Sequence, residues 1–280
     1  MGVFCLLLFL SAVSLWFFTN EQDTLFGVYS PTCAIRTRNL HRVVLLFFLP
    51  ALFLSAKGSG PASMDCSSVL LALMSSFIIL LTLKFFSIKA SVVYAFVGAL
   101  AAWSLVDGQG LERGFMMSFI GAPVMAFILS AGIRALLRGI FSRTHIHMIT
   151  LSHYMRLIVI ICVILTASAV GFNWGGFVTG VGHMIASEKV VIVLAVVIAA
   201  IFMILSRFVV QSASEDYSAL FAEFSIYSVV SVGLSVAATL LFFSFDATTN
   251  LIHMSPAPLS VSALVMASVA GTEAAQKSRM

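Results

Sequence analysis

The chain has 280 residues, of which 61% are hydrophobic and 9% are charged, and its formal net charge is +4. A soluble domain carries about 25% charged residues, so this composition excludes an ordinary soluble protein and predicts an all-α polytopic membrane protein that lies in the lipid bilayer. We expect no nucleic-acid partner, because the basic residues form no groove interleaved with aromatic side chains.

The first apolar stretch, at residues 2–18, resembles a signal peptide in length. It lacks a basic flank and a small-x-small cleavage site before the acidic sequence TNEQDT. We therefore expect it to stay in the protein as the first membrane span.

Apolar runs predict nine membrane segments. They lie at residues 2–18, 43–56, 67–83, 90–106, 115–133, 157–172, 190–206, 219–245 and 256–271. Segments 43–56 and 157–172 are shorter than the roughly 20 residues that a straight span needs. Short pieces of this kind are typical of the half-helices and re-entrant hairpins of transporters.

The distribution of lysine and arginine predicts the orientation of these segments. With the N-terminus outside, twelve of the fifteen basic residues fall on the inner side and three on the outer side, as the positive-inside rule requires. The inner residues are Arg36, Arg38, Arg42, Lys84, Lys89, Arg134, Arg138, Arg143, Arg156, Arg207, Lys277 and Arg279, and the outer ones are Lys57, Arg113 and Lys189.

Patterns for catalysis and metal binding are weak in this chain. The four cysteines are scattered with no C-x-x-C spacing. The H-x-H spacing of His145 and His147 in a basic loop is a weak indication of a metal site, and no nucleophile–base pair or nucleotide loop is present. We expect no enzyme activity, no cofactor and no metal.

A basic loop at 134–156 divides the predicted segments into five and four. Because the first number is odd, the second half begins on the opposite side of the membrane, and similar halves would be inverted repeats. We place the first repeat at residues 1–140, a basic cytoplasmic loop at 141–156 and the second repeat at 157–280.

The two halves share an order of motifs. A glycine-marked stretch comes first, GVYSPTCAIRT at 27–37 and VGFNWGGFVTG at 170–180, and glycine is the residue that lets a helix unwind or another backbone approach closely. A serine-marked turn into a helix of small residues follows, IKASVVYAFVGAL at 88–100 and APLSVSALVMASVAG at 257–271. We expect the glycine stretches to break their spans, and the alternative is that they allow close helix packing.

These motifs resemble the paired G-A-N-D-x-x-N-A-x-G-T and P-V-S-T-T-H-A-x-V-G-A signatures of the inorganic phosphate transporter (PiT) family. The resemblance covers nearly the whole chain in the same order, and the segment GFMMSFIGAPVMAFILSAGIRALLRGIF is similar to the family's helix before the central loop. The first break departs from the family at Ser30 and Cys33, and the second at Trp174 and Phe177, so that both signature aspartates are replaced.

The resemblance implies symport of inorganic phosphate with sodium or protons, at a site between two inverted repeats. Helix N-termini and hydroxyl groups suit an anion. The candidate substrate-binding residues are Ser30, Thr32, Thr37, Ser91, Asn173, Gly175, Gly176, Ser260 and Ser262. For the serines and for Asn173 the alternative is a local role, as a helix cap or a bond to nearby backbone.

The coupling cation would need a carboxylate, and Glu223, inside the predicted segment 219–245, is the candidate. Its alternative is an interfacial position that reaches water. The loss of both aspartates also favours a second interpretation, a transport-inactive relative kept as a structural subunit of a larger membrane complex. The expected partners are thus the bilayer, phosphate or a similar anion, a coupling ion, and further copies or subunits.

The topology prediction is tested by cysteine labelling. Because the basic residues favour the inner side, a His147→Cys variant in a background without other cysteines should resist a membrane-impermeant thiol reagent in sealed cells and react after permeabilisation. Labelling from the outer face would contradict the assignment.

Overall fold

A computed structural model describes residues 12–13, 28–29, 46, 66–86, 91–106, 108, 113–143, 148–183, 226–249 and 259–277. Within these residues the regular structure is helical and no strand occurs. The longer elements are α1 (Cys66–Phe85), α2 (Val92–Val106), α3 (Arg113–Arg143), α4 (Met148–His183), α5 (Ile226–Thr249) and α6 (Val261–Lys277). The predicted all-α class is confirmed for this part of the chain.

Four of these helices are long and apolar enough to cross a membrane. Their apolar windows are Ser67–Phe85, Met117–Phe141, Thr150–Gly175 and Tyr227–Ser244. Large apolar side chains such as Ile78, Ile120 and Phe86 are more than half exposed, which lipid tolerates and water does not. The prediction of a helical membrane protein is confirmed, while the side on which each terminus lies stays a prediction.

Helix α5 lies at the centre of the bundle. In α5, 72% of the apolar window is buried, compared with 28% of the window in α1 and 22% of the window in α3. It contacts α3, α4 and α6, and α2 packs on α1. Where α5 meets α6, the Ser235 hydroxyl donates a hydrogen bond of 2.7 Å to the Ser268 hydroxyl, and both side chains are fully buried. Buried hydroxyls at helix contacts hold membrane helices together where hydrophobic burial does not.

Two helices are too short to span. The 15 residues of α2 and the 17 residues of α6 rise about 22 and 26 Å, less than the roughly 30 Å of a bilayer core. They correspond to the predicted segments 90–106 and 256–271, and each follows a serine. The indole Nε1 of Trp103 in α2 donates to Ser75 Oγ in α1 over 3.3 Å, which fixes α2 against its neighbour.

The structure corrects the prediction of a basic loop. The expected interval 134–156 is helical at 134–143, as the end of α3, and at 148–156, as the start of α4. His153, Tyr154 and Arg156 are exposed on the surface of α4. Charged and aromatic groups at a helix end reach the membrane interface without ending the helix, so charge was a poor marker of a loop here.

The expected break at 170–180 is wrong. Helix α4 runs from Met148 to His183 as one element and includes the whole of VGFNWGGFVTG. A glycine inside a helix costs about 1 kcal/mol, but an unwound backbone in lipid leaves polar groups unsatisfied at several kcal/mol each. Gly171 and Gly175 are buried. The other expected break, at 27–37, lies outside the described residues except for Val28 and Tyr29, which are helical.

Helices α3 and α6 approach each other closely at Gly271. A Cβ added to Gly271 would collide with the carbonyl oxygen of Phe127 and with Ser130 Oγ. Backbone atoms cannot move aside as a side chain does, so only glycine fits there. Gly271 therefore fixes the distance at which α6 lies along α3.

Substituting Gly271 by alanine should lower the stability of the protein by about 1–3 kcal/mol, because the added methyl group overpacks the contact. Gly132→Ala is the matched control, since a Cβ on Gly132 meets nothing within 4 Å and alanine favours the helix. Thermal unfolding of the purified protein in detergent measures both. Equal unfolding temperatures for the two variants would contradict the packing assignment.

Candidate functional site

Two serines begin the two short helices. The carbonyl oxygen of Ser91 accepts the first helical hydrogen bond of α2 from Ala95 N over 3.1 Å, and Ser260 accepts the equivalent bond of α6 from Leu264 N over 3.1 Å. The Ser260 hydroxyl also accepts from Ala263 N at 3.4 Å. Both serines therefore occupy the N-cap position, where serine is favoured because it satisfies helix N–H groups.

The two caps meet. Ser91 Oγ and Ser260 Oγ are 2.8 Å apart although 169 residues separate them in the chain. Ser262 Oγ lies 2.8 Å from Ser260 Oγ. We call Ser91, Ser260 and Ser262 the serine cluster. Ser260 is buried and the other two are half-buried, so the cluster is mostly removed from the surface.

Asn173 joins the serine cluster to α4. Its Oδ1 accepts a hydrogen bond of 2.9 Å from Leu259 N, the backbone group directly before the Ser260 cap. The amide oxygen is thus engaged in holding the start of α6. The other polar group of its amide, –NH₂, can only donate hydrogen bonds.

The electrostatic environment of the serine cluster favours negative charge. A helix N-terminus carries roughly half a positive charge, and the N-termini of α2 and α6 meet here. Neither helix has an acidic residue in its first turn. Two like partial charges brought together in a half-buried place repel, and a bound anion would remove that cost.

The predicted roles of Gly175 and Gly176 do not fit the structure. Both residues lie within α4, where each N–H group bonds to the carbonyl four residues earlier. Their N–H groups are therefore not available to an anion. Trp174, which separates Asn173 from Gly175 in the sequence, is the largest fully buried side chain among the described residues.

Tyr29 is a residue that the sequence analysis missed. Its hydroxyl lies 3.1 Å from Thr166 Oγ1 of α4, and Thr166 donates its own proton to the carbonyl of Cys162 over 2.7 Å. Tyr29 is therefore the donor. A Cβ on Gly233 of α5 would lie 2.6 Å from the Tyr29 hydroxyl, so the absent side chain makes the notch that this tyrosine fills.

Tyr29 directly precedes the predicted site residue Ser30. Ser30, Thr32, Thr37 and Glu223 lie outside the described residues. Thr166, the partner of Tyr29, is seven residues from Asn173 on α4, about 10 Å along the helix. The only sequence signal for this contact was an aromatic residue two positions after Gly27.

In the described part of the chain, no three histidine, cysteine, aspartate or glutamate side chains come together in a way that could hold a metal ion. His145 and His147 fall in the interval 144–147, which is outside that part.

The fold and the serine cluster define a polytopic α-helical membrane protein in which two short helices meet at their N-termini. Comparison of the chain with protein-family models, with curated proteins and with solved structures found no match.

Substituting Asn173 by leucine should destabilise the protein by about 1–3 kcal/mol, because Leu259 N loses its acceptor in a part-buried place. Asn173→Asp is the matched control, since it keeps an acceptor oxygen and places negative charge beside a helix N-terminus. Unfolding in detergent at neutral pH measures the difference. If the leucine variant is as stable as the aspartate variant, the capping role of Asn173 is wrong.

Proposed function

We propose that the chain is a phosphate permease, a secondary transporter that moves inorganic phosphate together with sodium or protons. The observation that carries this proposal is the 2.8 Å contact between Ser91 and Ser260. It joins the N-termini of two short helices at residues that the resemblance to the PiT family had already marked as substrate-binding.

The chemistry of the serine cluster suits phosphate. Phosphate oxygens accept hydrogen bonds, and a serine hydroxyl can rotate its proton toward a ligand or toward a neighbouring hydroxyl. In the structure the hydroxyls satisfy one another over 2.8 Å. An anion between α2 and α6 would exchange these neutral hydrogen bonds for charge-assisted ones, which are about twice as strong.

The arrangement of the helices supports an inverted repeat as part of this proposal. In each half a membrane-spanning helix, α1 or α5, is followed by a short helix that starts at a serine, α2 or α6. Inverted-repeat transporters bring such half-helices together near the bilayer midplane, with their positive ends toward an anionic substrate. Residues 91 and 260 would then be equivalent positions of the two repeats.

Coupling to a cation needs an oxygen-rich site, and Glu223 is our candidate for it. In the first glycine stretch Ser30 stands where the family has aspartate, and in the second Trp174 does. An intramembrane carboxylate is costly unless it serves a function, which makes Glu223 the acidic residue to test first.

A second candidate function is a transport-inactive structural subunit of a larger membrane complex. The buried Trp174 favours it, because an apolar indole fills a position where the family has a carboxylate. The continuous α4 favours it as well, since an unbroken helix gives a substrate no freed backbone N–H groups.

Phosphate uptake into reconstituted vesicles separates the two functions. For a permease, uptake under a sodium or proton gradient should exceed that of empty vesicles, and Ser260→Ala should reduce it about tenfold through loss of one hydroxyl donor to a charged ligand. Ser76→Ala is the matched control, because this buried hydroxyl only bonds back to Leu73 O within α1. Size-exclusion chromatography verifies that each variant is folded.

Uptake no faster than that of empty vesicles, from folded wild-type protein under both gradients, would count against the permease. Gentle purification from the native membrane would then be expected to bring companion subunits with the chain, which is the outcome that the structural interpretation requires.

A further inference from the structure

Arg134 is a charged side chain inside an apolar span. It lies within the membrane window Met117–Phe141 of α3 and is half-buried. A charge within an apolar window is costly unless it is paired or reaches the interface, and where it occurs it often serves a binding or transport role.

The guanidinium of Arg134 connects three helices. Nη1 donates to Ser228 Oγ of α5, and Nη2 donates to Gln276 Oε1 of α6 over 2.9 Å. Two fixed partners hold the planar group in one orientation. Preorganised in this way, an arginine loses little conformational entropy when it binds a further ligand.

Both partners are neutral, so they satisfy hydrogen bonds without neutralising the charge. Among the described side chains no carboxylate bonds to the guanidinium, and Glu273, the acidic residue of α6, is exposed. A guanidinium has five N–H donors, of which Ser228 and Gln276 take two. No further hydrogen bond joins the group to a described residue, so the other three donors remain for a ligand.

Arg138 is a second cationic side chain close to Arg134. Arg138 is one turn further along α3 and is exposed, and residues four apart on a helix lie on the same face. Like charges at this spacing destabilise a helix. An anion bound by both arginines would replace that repulsion with attraction.

We propose that Arg134 and Arg138 form a second binding site, for the phosphate group of a ligand. The paired N–H donors of arginine match the oxygens of a phosphate in a bidentate arrangement. The site is separate from the serine cluster, because Gln276 is sixteen residues from Ser260 along α6, about 24 Å. It goes beyond the proposed transport activity, since the phosphate can belong to a free ion or to the headgroup of an anionic lipid.

Two binding measurements on the full-length protein test this site and distinguish the two sources. In the first, equilibrium dialysis measures binding of inorganic phosphate to delipidated protein in detergent. In the second, native mass spectrometry counts lipids retained after reconstitution into phosphatidylcholine bilayers with or without phosphatidylglycerol. The variants are Arg138→Gln, which breaks no hydrogen bond of the described residues, and Arg134→Gln. Arg156→Gln, an exposed arginine on α4, is the matched control.

In the measurement that detects the ligand, Arg138→Gln should weaken binding about tenfold, as expected for loss of a charged donor, and Arg156→Gln should leave it unchanged. Should Arg134→Gln fail to fold, the comparison of Arg138→Gln with Arg156→Gln decides alone. Equal binding by wild type, Arg138→Gln and Arg156→Gln in both measurements overturns the site. Phosphate binding that Ser260→Ala abolishes and Arg138→Gln does not affect, together with lipid retention that Arg138→Gln leaves unchanged, also overturns it while leaving the permease intact.

Discussion

The architecture depends on bringing two helix N-termini into contact when neither helix has an acidic residue in its first turn. The partial positive charges at the N-termini of α2 and α6 repel each other. The hydroxyls of Ser91 and Ser260, which are 2.8 Å apart, lie between these two helix ends. Asn173 reinforces the arrangement from α4 by accepting the N–H of Leu259. Three parts of the chain that are distant in sequence therefore meet at one small polar cluster.

The rest of the bundle keeps these helix ends in place. Helix α5 supplies the centre, and α6 is held against it by the buried hydrogen bond between Ser235 and Ser268. On the other side Gly271 lets the backbone of α6 approach α3. At the far end of α6, Gln276 is bonded to Arg134. Because α6 is fixed along its length, the position of Ser260 is set by contacts that do not involve the serine cluster itself.

Much of this fold follows from hydropathy alone. The apolar runs at 67–83 and 90–106 predict α1 and α2 to within a few residues, and the serines at 91 and 260 are recognisable as helix starts because a serine precedes a run of small apolar residues. The stretch VGFNWGGFVTG was misread, since glycine marks close packing as well as unwinding. Tertiary contacts decide between the two. The bonds of Asn173 to Leu259 and of Tyr29 to Thr166 join residues far apart in sequence, and no local pattern encodes them.

The notch that holds Tyr29 has a consequence for how the protein is made. Its walls are Thr166 of α4 and Gly233 of α5, and both leave the ribosome long after Tyr29 itself. The notch for Tyr29 therefore forms only after Gly233 has been made, about two hundred residues after Tyr29 itself. The packing of Tyr29 into it is then a late step of assembly.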